Sequence, residues 1–162
     1  MSCEPFKTID DPINEIAKKD KDAAEFLSTI VNVSAVWDDL CDRDVKVENK
    51  DISRAFESIL IGLPTNKFYM SNISSLHPLM MVAIGNWKLA TEIERQEAQE
   101  AYEYSFVIRS SYADIFMMTA WIIYGEEYAI EFASRVRAFV HDEGLGHYQK
   151  SLVIEKLRRE SM

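Results

Sequence analysis

The sequence predicts an all-α fold, a single compact bundle-like domain of five to seven helices. Three observations carry this. Apolar residues recur at steps of three and four through most of the chain. No run alternates apolar and polar residues between turn signals, so no strand is expected. Gly is 5 and Pro is 4 in 162 residues, too few for a loop-rich or fibrous chain. With 48% hydrophobic residues the chain is too apolar to stay disordered, and its length suits one domain that buries roughly two-thirds of its unfolded surface.

Residues 1–21 read as a polar N-terminal arm, and the helical domain as 22–162. Pro5, Asp10, Asp11 and Pro12 interrupt any early helix, and residues 18–22 are a charged run. The first helix is expected over about 22–39, with Ala23, Phe26, Leu27, Ile30, Val31 and Trp37 on one face. Asp51 is placed to cap the second, where Ile52, Ala55, Phe56, Ile59, Leu60 and Leu63 form an apolar stripe up to Pro64. Pro78 suits the first position of a third helix, which runs to about Ile93. Leu79 to Ile84 is apolar all round, which predicts deep burial. Glu92 to Glu103 is charged and reads as a solvated helix end; one long continuous helix is the alternative. The fourth helix carries Ala98, Ala101, Tyr102 and Phe106, turns wholly apolar over Ile115 to Ile123, and is expected to be central. Gly125 serves as its C-cap. In the fifth, Glu126 and Glu127 suit the positive end of the helix dipole, and Ala129, Phe132, Ala133, Val136, Phe139 and Val140 point inward. The sixth spans about 147–159, with Leu145, Tyr148, Leu152 and Leu157 inward and a charged tail from Glu155 to Glu160.

Charge excludes some functions. Lys plus Arg is 18 and Asp plus Glu is 27, a net charge of −9, which argues against nucleic acid or anionic membrane as partner. Two cysteines, Cys3 and Cys41, form no disulfide framework and no metal-type spacing, so a cytoplasmic setting is expected. There is no signal-peptide pattern at the N-terminus, and the most apolar stretch, Ile115 to Tyr124, is too short to span a membrane.

Three clusters could carry chemistry. Asp38, Asp39, Asp42 and Asp44 place four carboxylates in seven residues at the end of an apolar helix. If the helix continues, Asp38 faces inward and Asp42 sits at the edge of the same face. That spacing suits a Mg²⁺ or Mn²⁺ half-site, and equally an inward Asp paired with Arg. Arg137, His141, Asp142, Glu143 and His147 form the second cluster; a helix end with favourable charges explains it as well as a general base does. Arg109, Tyr112 and Asp114 interrupt the fourth helix. Buried charges need partners, so Asp114 is expected to face an Arg, and Arg109 to face Asp38 or Asp42. The paired and metal-bound arrangements compete for the same aspartates.

Asp38-Asp39-Leu40-Cys41-Asp42 is similar to the DDxxD motif of helical isoprenoid synthases, but those enzymes are much longer and have a second acidic motif on a facing helix. Glu94, Glu97, Glu100 and Glu103 overlap as ExxE strings, without the later ExxD of helical nucleotide pyrophosphohydrolases. His77 and His141-Asp142 lack the final Asp of HD phosphohydrolases. The strings SAVWDDLCDRD, DISRAF, LPTNKFY and IGNW resemble small uncharacterised helical proteins of phages and prophages. That resemblance implies a mobile-element origin and no activity.

Two functions are therefore carried forward. The first is a small cytosolic accessory protein acting by binding, without cofactor, with a protein partner or a second copy as its ligand. It requires an exposed apolar patch near Ile61 or on the sixth helix. The second is a divalent-metal-dependent hydrolase of a phosphorylated small molecule: Asp38 and Asp42 hold metal, Glu143 or His141 activates water, and Arg109 clamps phosphate. It requires Asp38, Arg109 and Glu143 on one concave pocket.

Overall fold

The structure, a computed structural model, describes residues 6–42, 45–96 and 99–160, with the backbone alone at 99, 155 and 158–160. Cys3, Asp44, Glu97 and Ala98 lie outside the described residues, as do most charged side chains of the C-terminal tail. The described residues are all-α and contain no strand. Counted as continuous rods they form eight helices rather than five to seven.

The first extra helix lies where a polar arm was expected. α1 spans Asp10–Ala17 and buries Pro12, Ile13 and Ile16. Pro12 sits in its first turn, where a missing N–H costs nothing. Asp11 Oδ2 accepts from the backbone N–H of Lys7 (2.8 Å) and Thr8 (2.9 Å), and these bonds hold its carboxyl below the ordinary range. Glu15 then ties α1 to a later helix, α7 (Glu126–Val140): Arg135 grips it at 2.9 and 3.0 Å, and the Tyr128 hydroxyl donates to it. Residues 6–17 are thus part of the core, with Phe6 packed edge-on against Phe132 at 5.6 Å.

α2 (Lys21–Asp42) is capped by Asp20, whose Oδ1 accepts from Ala23 N at 2.9 Å; of its expected stripe Ala23, Phe26 and Leu27 are buried, with Ala24 beside them, while Ile30, Val31 and Trp37 are half-buried. α3 covers Asn49–Glu57, a π-helical segment Ser58–Gly62 and Leu63–Thr65 without a break. It starts before Asp51, which falls in its first turn instead of capping it. The second extra helix, α4 (Lys67–Ser71), is capped by Asn66, whose Oδ1 accepts from Tyr69 N while its Nδ2 donates to Asp22 O, both at 2.8 Å. Tyr69 stacks on Phe26 at 5.6 Å.

α5 (Ile73–Arg95) begins a turn before Pro78, which lies inside it. α6 consists of Tyr102–Ile108 and Tyr112–Tyr124, joined through a turn at residues 109–111. Its second half is central: Ala113, Ile115, Phe116, Thr119 and Ala120 are buried, largely against α7. Gly125 joins the two at φ 90°, ψ 178°, a conformation almost confined to glycine. α7 buries Ala129, Phe132 and Val136 as expected. α8 (Gly144–Glu160) closes the chain.

By length and composition, Tyr102–Tyr124 is apolar enough to cross a membrane. It also carries Arg109 and Asp114, both ion-paired, and the buried residues of the core's central helix.

Several expected core residues lie outside. In α3, Phe56, Leu60 and Ile61 are 62%, 68% and 64% exposed, and Ile59 is exposed too. Met81, Val82 and Ile84, within the all-apolar run of α5, are exposed, as are Trp121 and Leu157.

Candidate functional site

The turn that divides α6 organises the site. It places Arg109, Ser110 and Ser111 where α2, α5, α7 and α8 all reach them. Asn86 Nδ2 of α5 donates to Ser111 Oγ at 2.8 Å and fixes the turn against α5.

Arg109 lies between two helices. Its Nε donates to Glu94 Oε1 at 2.9 Å and its NH2 to Glu94 Oε2. Its NH1 donates to Asp38 Oδ1 at 3.1 Å and lies 4.0 Å from Asp42 Oδ2. Each guanidinium nitrogen therefore faces a carboxylate. Burial opposes the charge, but the hydrogen bond and attraction of Glu94, with help from Asp38 and Asp42, raise the Arg109 pKa above its ordinary value. The guanidinium also lies over the Trp87 ring, 5.4 Å from its centroid.

Glu94 is almost wholly buried and makes a third polar contact, accepting from the Tyr148 hydroxyl of α8. The Tyr148 hydroxyl also lies 2.9 Å from Ser105 Oγ. Burial, then the bond to Glu94, pushes the Tyr148 phenol above its usual pKa. Trp87 Nε1 donates to Asp38 Oδ1 at 2.9 Å, and its ring packs on Trp37 at 4.1 Å.

A second set lies on the other side of the turn. Arg137 NH2 donates to Asp114 Oδ1, and its NH1 to Ser110 Oγ at 3.1 Å. Ser110 Oγ is 3.2 Å from His141 Nε2. Burial and the nearby Arg137 charge push the His141 pKa down and so favour the neutral imidazole.

Beside these groups lies a partly open cavity of about 420 Å³, lined by Asp38, Arg109, His141 and Glu143 among others. Asp38, Arg109 and Glu143, the three residues expected on one pocket, all line it. Their chemistry differs from the hydrolase assignment. Arg109 faces a carboxylate on every nitrogen, the structural ion-pair arrangement. Asp38 and Asp42 are directed at Arg109, the ion-pair arrangement rather than the metal one. Among the described residues no three Asp, Glu, His or Cys side chains converge as a metal-binding set. Glu143 is largely exposed, with His147 Nε2 at 3.8 Å, and forms no hydrogen-bonded pair with His141.

A second, larger cavity of about 620 Å³ lies between α2, α3 and α5. Its wall is apolar, with Trp37, Leu40, Phe56, Ile59 and Ile84 among the contributors, and includes no carboxylate; Lys88 and Arg109 are its charged members.

Sequence reasoning missed Glu94, Trp87 and Tyr148 as site residues. The one signal for Glu94 is its register: it extends the face of Leu76, Ala83, Trp87 and Ala90 by one more helical step. No family model matches this chain, nor does any curated protein or solved structure.

Proposed function

We propose that this chain is a helical accessory protein that acts by binding, and that its partner on the α3/α5 face is a second copy of itself. The carrying observation is the apolar groove between α2, α3 and α5 together with the exposed Leu60 and Ile61 beside it. Exposed apolar surface of that extent marks an interaction site. Groove and ridge on one face are self-complementary under a twofold axis, where the ridge of each copy enters the groove of the other. The absence of carboxylates from the groove wall removes the main objection to pairing two chains of charge −9. A reducing, cytoplasmic setting and a mobile-element origin accompany this reading, the first because Cys41 is a free, half-buried thiol.

Sedimentation or light scattering tests it. The wild-type chain is expected to run as a dimer, and Phe56→Glu with Leu60→Lys as a helical monomer. A wild-type monomer at about 100 μM, far above the Kd of a stable homodimer, overturns the reading.

A further inference from the structure

We propose that the cavity at the α6 turn binds a small organic cation, a protonated amine carried on a flat apolar body. Its volume, about 420 Å³, lies within the range of small-molecule sites. Phe106, Tyr112 and Tyr148 supply aromatic surface to its wall, beside Trp87, whose ring is already taken up by Trp37 and Arg109. Such faces attract cations and pack flat apolar groups.

The hydrogen-bonding inventory fixes the sign of the charge. Both guanidinium groups are spent, Arg109 on Glu94 and Asp38, and Arg137 on Asp114 and Ser110. Burial and Arg137 favour the neutral form of His141. Acceptors remain unspent. Asp38 Oδ1 takes both bonds made to that carboxylate, and Oδ2 accepts none among the described residues. The Tyr112 hydroxyl, which can donate or accept and so leaves the sign to Asp38, has no hydrogen-bond partner among them either, yet it is not sealed from solvent-sized space. A ligand that brings N–H donors and positive charge satisfies both groups. An anion meets carboxylate and no free guanidinium. A bare metal ion would need a third hard ligand, which the described residues do not bring together.

The test is a titration of the ¹⁵N-labelled full chain with phenethylamine, followed at the Trp87 indole Nε1–H, which reports on Asp38 directly. A saturable shift is expected at Trp87 and none at Trp121. Asp38→Asn and Tyr112→Phe are each expected to weaken binding by about tenfold, equivalent to ~1.4 kcal/mol. Phenylacetate, inorganic phosphate and Mg²⁺ are expected to leave the signal in place. The proposal is overturned by no saturable shift up to about 10 mM phenethylamine, weaker than any small-molecule site worth the name. Equal binding of phenylacetate, phosphate or Mg²⁺ also overturns it. Should Asp38→Asn fail to fold, Tyr112→Phe, which keeps the ring and removes only the hydroxyl, decides alone: full affinity in that variant sinks the proposal.

Discussion

Arg109 and Glu94 form a two-point ion pair between α6 and α5, with Nε on Oε1 at 2.9 Å and NH2 on Oε2. Glu94 is almost wholly buried and Arg109 mostly so. The pair therefore matters less for the energy it adds than for the cost of breaking it. Removing one member leaves the other charge desolvated, a loss of about 3–5 kcal/mol. Arg109→Met is expected to lower the unfolding free energy by that order in urea denaturation. Adding Glu94→Gln to it is expected to recover a large part, because the stranded charge is gone. A double variant as unstable as the sum of its parts would show that the two residues act separately.

Tyr148 anchors α8 to this pair. Its hydroxyl donates to Glu94 and lies within hydrogen-bonding distance of Ser105, and among the described α8 side chains Leu152 is the one that is buried. Tyr148→Phe keeps the ring against Phe106 and removes only the hydroxyl. It is expected to cost about 1–3 kcal/mol, the penalty for unsatisfied buried partners. Hydrogen exchange should then quicken across residues 144–160 more than in α7. Uniform change over the whole chain would refute this anchoring role.

His141 gives the fold a pH-dependent element with a definite sign. Burial and Arg137 lower its pKa in the folded state from 6.5. Just below that value the unfolded chain binds more protons than the folded one, so stability falls as pH falls. The loss begins near pH 6.5 and levels off once pH passes below the lowered folded value. His141→Gln is expected to flatten the slope of unfolding free energy against pH between about 6.5 and 5 relative to wild type. An unchanged slope would mean that other groups carry the dependence.

The sequence carries the fold class and the inward faces of α2 and α7 plainly, because Phe26, Leu27, Phe132 and Val136 recur at helical spacing among polar neighbours. The pairing of Arg109 with Asp38 and Asp42, and of Asp114 with an arginine, is legible for a different reason: charges inside apolar helices must find partners. Periodicity is silent on whether an apolar face is covered by the same chain. Leu76 and Leu60 are the same residue type, each within a helix, yet one is buried and the other 68% exposed. Glu94 is hidden by its company: it stands among Glu92, Arg95 and Gln96, so a buried carboxylate reads as one more solvated charge.

The same contrast gives a further stability test. Leu76 is fully buried, and Leu76→Ala removes its packing and leaves a void, at about 2–5 kcal/mol. Leu60→Ala changes an exposed side chain and is expected to stay within about 0.5 kcal/mol in the monomer. A Leu60→Ala loss that grows with protein concentration would locate the missing cover in a second copy, since only association makes stability depend on concentration.

Gly125 carries the sharpest backbone constraint. At φ 90° and ψ 178° it turns the chain from α6 into α7, the pair that holds the centre of the core. The space around it is open: nothing lies within 4 Å of where a Cβ would stand. Any penalty for Gly125→Ala is therefore conformational and not a clash. That conformation costs a non-glycine residue about 1–3 kcal/mol. Gly125→Ala is expected to lose stability by that amount without altering helix content measured by circular dichroism. Gly85 also has open space around it, but no positive φ, and lies within α5. Gly85→Ala should instead gain up to about 1 kcal/mol from helix propensity. Opposite signs from the same added methyl group would separate backbone strain from packing; equal signs would show that the α6–α7 turn relaxes to accept alanine.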